Sequence, residues 1–240
     1  MSGYVPGEQP QAGKFIKLNT NENPYPASPK VKQAIQAVLD NGLEKYPDPV
    51  GNSFRQRAAE VLGVEPEWIL CGNGSDDILT ILTRAYVGEG ELLRLPYPSY
   101  ILYKTLAEIQ GARSDEVRFN DDWTLPESFV TPSEGLKLAF LPNPNSPTGT
   151  VVPANEILRV AKALPCPLLV DEAYGDFAEQ NCIELVKQNE NVMVARTLSK
   201  SYALAGLRFG YLVAQPQIIE QCNKVRDSYN CDSLAIAGAT

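Results

Sequence analysis

The stretch VMVARTLSKSYALAGLRFGYLV, residues 192–213, gives the clearest indication of fold and function in this sequence. It begins with an apolar strand candidate, Val192–Ala195, and ends with another, Phe209–Val213. Between them lie hydroxyl side chains, small residues, Lys200 and, eight positions later, Arg208. A lysine flanked by Thr and Ser is seldom only a surface charge, because its neighbours offer hydroxyl donors to a phosphate group. We therefore expect a ligand site in the loop between these two strands.

Outward from this stretch, short apolar strands alternate with amphipathic helices. This alternation predicts an α/β fold with a mainly parallel sheet and helices on both faces. Ligands bind such sheets at the carboxyl ends of the strands, so the residues that follow each strand are the candidates for function. The further strand candidates are Trp68–Cys71, Leu92–Leu95, Leu136–Leu141 and Leu168–Val170, and the helix candidates are Lys30–Leu39, Phe54–Leu62, Ser75–Tyr86, Tyr100–Ile109, Ala154–Ala163 and Gln217–Arg226.

Composition excludes several classes of function. The chain has 240 residues, a net charge of −8 and no histidine. An acidic protein is not attracted to nucleic acid or to an anionic membrane, so we expect neither as a partner. The missing histidine rules out Ser-His-Asp and Cys-His nucleophile systems, His general bases and His-ligated metals, and we expect no metal site. Proton transfer therefore falls to Lys, Asp, Glu, Tyr, Cys or a cofactor.

The cysteines and apolar runs indicate a compartment. The five cysteines are odd in number, widely spaced and never form a CxxC pair, which favours reduced core thiols. No apolar run approaches the roughly 20 residues of a membrane helix, and the first residues do not resemble a secretory signal. These patterns predict a cytoplasmic protein.

Two strand ends carry polar residues. After Trp68–Cys71 comes GNGSDD, residues 72–77, whose glycines permit a tight turn before a helix N-terminus that can bind an anion. A plain turn, with Ser75 or Asp76 capping the helix, is an equally good explanation of that string. Asp171 ends the strand Leu168–Val170; a solvated loop acid is the usual explanation, but the lysine loop that follows favours a ligand site.

Seven strings, spread in order along nearly the whole chain, resemble those of the fold-type I pyridoxal-phosphate (PLP) aminotransferases. Within that family they are most similar to the group that acts on histidinol phosphate. The strings are YVPG (Tyr4–Gly7), LNTNENPYP (Leu18–Pro26), KYPDP (Lys45–Pro49), GNGSDD (Gly72–Asp77), NPNSPTG (Asn143–Gly149), DEAY (Asp171–Tyr174) and TLSKSYALAGLRFGY (Thr197–Tyr211).

The resemblance implies roles for residues around the cofactor ring. Lys200 is the catalytic lysine, whose amine bonds the cofactor aldehyde and, once displaced by the substrate amine, moves the proton. Asp171 pairs with the pyridine nitrogen, Tyr174 hydrogen-bonds the ring's 3′ oxygen and Tyr100 stacks on the ring. A core position at the start of a helix is the alternative for Tyr100.

The resemblance also implies a phosphate site. Backbone amides of Gly74 and Ser75, the Ser199 hydroxyl and the Arg208 guanidinium hold the phosphate. Tyr46 reaches it from the second chain of a homodimer. Asp76, in the same turn, is expected to be a helix cap and not a ligand.

One position departs from the family pattern. The family has Asn directly before PTG, bonded to the ring's 3′ oxygen, whereas here Ser146 stands there, preceded by Asn145. Either residue could make the contact. Tyr4, Asn23 and Tyr25 are candidates for substrate binding through their positions in the matching N-terminal segment.

The resemblance implies a domain division and leaves three functions open. Residues 1–28 form an N-terminal arm and residues 29–240 a PLP-binding large domain; we expect the small C-terminal domain to be missing, which would impair transamination. The first function is transfer of an amino group from L-histidinol phosphate to 2-oxoglutarate, giving imidazole acetol phosphate and L-glutamate in histidine biosynthesis. The second is a related PLP enzyme: an aromatic or aspartate aminotransferase, or a threonine-phosphate decarboxylase. The third is an inactive PLP-binding fragment that acts as a dimerising or regulatory module.

Overall fold

A mainly parallel sheet forms the centre of the computed structural model, which describes residues 7–8 and 16–240. The strands are β1 (Ile69–Gly72), β2 (Leu92–Tyr97), β3 (Arg113–Arg118), β4 (Leu136–Pro142), β5 (Leu168–Asp171), β6 (Val192–Thr197) and β7 (Gly210–Val213). Their spatial order is β1-β7-β6-β5-β4-β2-β3. Strand β7 runs antiparallel to both of its neighbours, and the other pairs are parallel. The predicted α/β sheet is confirmed.

All six predicted helices are present, and two of them, α3 and α5, have the predicted bounds. The helices are α1 (Pro29–Asn41), α2 (Asn52–Leu62), α3 (Ser75–Tyr86), α4 (Leu102–Ile109), α5 (Ala154–Ala163), α6 (Ile183–Gln188), α7 (Pro216–Val225) and α8 (Ser233–Ala239). Helix α4 begins two residues later than predicted, which leaves Tyr100 in the loop before it. Residues 16–28 contain no helix or strand.

Strand β3 and helix α6 were not predicted. Strand β3 has the sequence RSDEVR and, among the described strands, pairs only with β2, at the edge of the sheet. An edge strand is half solvated, so it needs no apolar pattern and its charges discourage pairing with another chain. Helix α6 has only six residues, too few to establish a helical period.

The sheet separates two apolar cores because side chains alternate along each strand. In β5, Leu168 and Val170 join one core with residues of α2, α5, α6 and α8. Leu169 points to the other, with residues of α3, α4 and α7. The five cysteines are buried and unpaired within these cores, as predicted. Of the helices the structure describes, none is long and apolar enough to cross a membrane.

Candidate active site

A cavity of about 480 Å³ lies at the carboxyl ends of the parallel strands. Asp171 and Thr197, the last residues of β5 and β6, contribute to its wall. Further wall residues come from the arm, from the start of α3 and from the loop between β6 and β7. The predicted residues that line the cavity are Ser75, Tyr100, Ser146, Asp171, Tyr174, Ser199, Lys200 and Arg208.

Lys200 follows β6 and is held from two sides. Its Nζ donates a hydrogen bond to the Thr20 backbone carbonyl at 2.8 Å and lies 5.5 Å from the centre of the Tyr174 ring. Asn23 Nδ2 donates to the backbone carbonyls of Lys200 (3.2 Å) and Ser201 (3.1 Å). The arm therefore fixes both the side chain and the backbone of the lysine.

Asp171 is buried at the end of the central strand β5. Its Oδ2 accepts a hydrogen bond from the Tyr103 hydroxyl at 2.7 Å, and its Oδ1 accepts one from the Ala173 amide at 3.0 Å. Burial raises the pKa of the Asp171 carboxyl to about 6, although both hydrogen bonds act in the opposite direction. A buried carboxylate whose two partners are neutral is suited to meet a cationic group of a ligand.

The two predicted ring contacts occupy different sides of the site. The Tyr174 hydroxyl accepts a hydrogen bond from Asn21 Nδ2 at 2.9 Å. Tyr100 lines the cavity just before α4, with its ring 5.6 Å from that of Tyr103 in an edge-on arrangement. The position of Tyr100 on the cavity wall differs from the buried helix position that was the alternative.

A candidate phosphate site, the anion corner, lies where α3 begins. Gly74 has a φ of 86°, and a Cβ there would lie 2.5 Å from Arg208 Nη2, so bare backbone faces the guanidinium. Ser75 is the first residue of α3, where free amides and the helix dipole favour an anion. Ser199 is also buried, and its backbone amide donates a hydrogen bond to the Thr197 hydroxyl at 3.1 Å.

The expected capping of α3 by Ser75 or Asp76 is wrong. Gly74 occupies the N-cap position, and no side chain caps the helix. The Asp76 carboxylate instead lines the cavity, with Oδ2 3.9 Å from Arg208 Nη2. Burial raises the pKa of Asp76, while Arg208 and Lys200 oppose that rise.

Several predicted residues lie away from the cavity. Tyr46 is 82% exposed and stacks on Tyr229 with ring centres 4.7 Å apart. Tyr25 is 76% exposed, and Asn23 contacts the lysine loop from outside the cavity wall. Asn145 is buried, with its Nδ2 donating to Pro98 and Thr148, whereas Ser146 lines the cavity. Tyr4 lies outside the described residues.

Some residues that support the site lie outside the predicted set. Tyr103 carries no motif signal, because an aromatic residue in an apolar helix resembles any core residue. Glu172 was quoted only as part of DEAY, yet its buried carboxylate pairs with Arg196 Nη2 at 2.7 Å. Arg196 also binds Asp176, whose other oxygen accepts a hydrogen bond from Ser201. Among these residues Arg196 has a sequence signal, because an arginine within the largely apolar strand β6 indicates a buried acidic partner.

The cavity fits a small, anionic, aromatic ligand with a basic ring. The buried Asp171 carboxylate matches a protonated ring nitrogen, Tyr100 offers an aromatic face, and the open corner beside Arg208 and Gly74 matches a phosphate. Lys200 supplies an amine on the wall of the same cavity. Pyridoxal phosphate combines these features.

The model of the family "Aminotransferase class I and II" matches residues 13–240. The chain belongs to this family. Its members use PLP as cofactor, which agrees with the fit of the cavity. The family assignment explains why residues of most of the quoted strings line one cavity, although Tyr46 of KYPDP lies outside it.

Related aminotransferases are similar along the whole chain. The histidinol-phosphate aminotransferase of Rhodopirellula baltica is 62% identical over 100% of this chain, which covers 67% of that protein. The protein of the same name from Geotalea daltonii is 48% identical, again over 100% of this chain and 69% of the relative. This chain thus spans about two thirds of the length of the curated relatives it matches.

A solved aminotransferase structure has the same fold. Histidinol-phosphate aminotransferase from Sinorhizobium meliloti, in complex with pyridoxal-5′-phosphate, superposes with a TM-score of 0.82. The sequences are 29% identical, and the match covers 92% of this chain and 62% of that one. The fold described here therefore occurs in an aminotransferase crystallised with its cofactor.

Proposed function

We propose that this chain is the cofactor-binding part of an enzyme that transfers the amino group of L-histidinol phosphate to 2-oxoglutarate, in histidine biosynthesis. The observation that supports transamination is the placement of Lys200, Asp171 and Arg208 on the wall of one cavity. The 62% identity to the R. baltica histidinol-phosphate aminotransferase supports the choice of amino donor.

The residues divide the work between binding and proton transfer. When bound, PLP supplies an aldehyde that accepts the amino group and a ring that withdraws electrons. Lys200 Nζ would take the proton from the substrate Cα as general base and release it again as general acid. The Asp171 carboxylate keeps the ring nitrogen protonated, and the Tyr174 hydroxyl hydrogen-bonds the ring's 3′ oxygen.

The anion corner holds the cofactor in place. The Gly74 and Ser75 amides, the Ser199 hydroxyl and Arg208 bind the phosphate, with Tyr100 against the ring face. Ser146 is the better candidate for the contact made by Asn in the family, because it lines the cavity and Asn145 does not. Tyr4, Asn23 and Tyr25 remain our candidates for recognising the amino donor. We also propose that residues 1–28 form the arm and residues 29–240 the large domain.

A donor panel tests the proposed substrate. The holoprotein is incubated with 2-oxoglutarate and with histidinol phosphate, phenylalanine, aspartate or threonine phosphate, and glutamate formation is measured. We expect glutamate to form fastest with histidinol phosphate and none to form in a Lys200→Ala variant. A preference for aspartate or phenylalanine would contradict the proposed donor. PLP binding without glutamate formation from any donor, and without CO2 release from threonine phosphate, would instead favour a non-catalytic module.

We further propose a homodimer in which Tyr46 completes the partner's phosphate site. The position of Tyr46 on the surface, away from the cavity of its own chain, supports this. Mixing Tyr46→Phe and Lys200→Ala subunits then generates hybrid dimers with one intact site. We expect sites with wild-type PLP affinity and activity to appear on mixing. Equal activity of the mixture and the separate variants would refute the shared site.

The proposed location is the cytoplasm. Five buried, unpaired cysteines suit a reducing compartment, and burial raises the pKa of Cys182 and Cys222 to about 12. Thiols held in the protonated form react poorly to form disulfides. Fractionation of cells that express the tagged protein tests the location.

A further inference from the structure

We propose that Tyr103 is a positioning residue, whose hydroxyl holds the Asp171 carboxylate oriented and ionised for the ring nitrogen of the cofactor. This inference rests on the proposed function, since it assigns that carboxylate to PLP. The observation behind it is the 2.7 Å hydrogen bond from the Tyr103 hydroxyl to Asp171 Oδ2.

The geometry fixes the carboxylate from two sides. Tyr103 belongs to α4 and donates to Oδ2, whereas the Ala173 amide follows β5 and donates to Oδ1. Each carboxylate oxygen thus has one donor, and the plane of the carboxylate is set from two separate elements. A second lone pair on each oxygen is left for a ligand.

Packing holds the tyrosine itself in place. Tyr103 is 0% exposed, and its ring lies edge-on to Tyr100 and Phe140 at centre-to-centre distances of 5.6 and 5.2 Å. Such aromatic pairs restrict the direction in which the hydroxyl points. Phenylalanine would fill the same apolar space, so the core does not require the hydroxyl. A buried hydroxyl costs stability unless it has a partner, and Asp171 is that partner.

The direction of the hydrogen bond is determined by the phenol. Burial and the neighbouring Asp171 hold the pKa of Tyr103 well above its usual range, so the phenol stays protonated and donates. Donation to the carboxylate favours its charged form. The nearby carboxylates of Asp76 and Glu172 act against that charge, while Lys200 and Arg208 are cations on the wall of the same cavity. Tyr103 therefore offsets part of the cost of an anion at Asp171.

The test compares Tyr103→Phe with a matched control, Tyr211→Phe, a buried tyrosine of β7 outside this cavity. In the apoprotein, carboxyl ¹³C NMR follows the titration of Asp171. We expect Tyr103→Phe to raise the pKa of Asp171 by about one pH unit and to weaken PLP binding on the order of tenfold. Tyr211→Phe should change neither quantity. An Asp171 titration that is the same in both variants would overturn the inference.

A second variant probes the same contact in the opposite direction. Replacing Tyr103 alone with 3-fluorotyrosine makes the phenol a stronger donor while keeping its ring, and should lower the pKa of Asp171. This variant decides the question if Tyr103→Phe does not fold. The titrations need no cofactor, so a failure of the proposed function would appear separately, as absence of PLP binding in the wild-type protein.

Discussion

The Lys200 amine donates a hydrogen bond to the backbone carbonyl of Thr20, 180 positions earlier in the chain, at 2.8 Å. The contact brings the arm over the loop between β6 and β7. Asn23 strengthens it from behind, because its side chain bridges two carbonyls of that loop. The lysine thus reaches the cavity from a backbone that two distant segments hold together.

Replacing Asn23 with alanine should loosen this junction. The variant loses three side-chain hydrogen bonds, two to the lysine loop and one from the Tyr25 amide. We expect a loss of about 1–2 kcal/mol in the free energy of unfolding, with weaker PLP binding. Chemical denaturation and a PLP titration measure the two effects. The control is Asn41→Ala, whose side chain bonds only within α1 on the surface. Equal stability of the two variants would show that the bridge does not support the lysine.

The Asp171 carboxyl should make the apoprotein less stable as pH rises. Its pKa is raised from 3.8 to about 6 by burial, so the native state holds a proton that the unfolded chain releases. Stability from this group is therefore full below about pH 4 and is lost as pH rises to about 6 and beyond, by roughly 2–3 kcal/mol.

Asp171→Asn tests this pH dependence. We expect the variant to lack this loss of stability between pH 4 and 6, and therefore to exceed the wild-type apoprotein in stability at pH 8, while binding PLP far more weakly. Urea unfolding at a series of pH values measures the first effect. The prediction fails if wild type and variant have parallel stability profiles.

Arg208 should bind the phosphate through its planar fork. Arg208→Lys keeps the positive charge but loses the paired donors, so PLP affinity should fall about tenfold. Inorganic phosphate should compete with PLP in the wild type and less well in this variant. Arg57→Lys, on the exposed surface of α2, is the control and should bind PLP normally. Unchanged affinity in Arg208→Lys would place the phosphate elsewhere.

Gly210 should tolerate no side chain. A Cβ there would lie 2.5 Å from the Ser75 amide nitrogen and 2.6 Å from the Gly74 carbonyl carbon. Gly210→Ala must therefore push the anion corner away from β7. We expect this to lower the free energy of unfolding by about 1–3 kcal/mol and to weaken PLP binding. A Cβ added at Gly206 would meet no heavy atom within 4 Å, so Gly206→Ala should retain the wild-type melting temperature. Similar melting temperatures of the two variants would contradict this close packing.

The parts of the fold that could be predicted are those with an apolar pattern. Strands β5 and β6 are buried along their whole length and β4 at every position except Lys137, so largely apolar runs mark them. The edge strand β3 carries charges and has no such mark. The start of α3 was predicted correctly, although glycine, and not the side chain of Ser75 or Asp76 offered as one explanation, occupies its N-cap.

The candidate site divides in the same way. Asp171 and Lys200 could be found because each directly follows a recognisable strand or occurs in a family string. Tyr103 and Thr20 could not, since one acts from inside a helix and the other through its backbone carbonyl. Such contacts depend on tertiary packing, which no local pattern in a single sequence encodes.

The most direct test of the account is the site of covalent attachment of PLP. Borohydride reduction of the holoprotein, followed by peptide mapping, should place the pyridoxyl group on the peptide that contains Lys200. The exposed Lys187 of α6 should carry no label, and Lys200→Ala protein should not be labelled. A label on another lysine, or no label in the wild-type protein, would contradict the assignment of Lys200 as the catalytic residue.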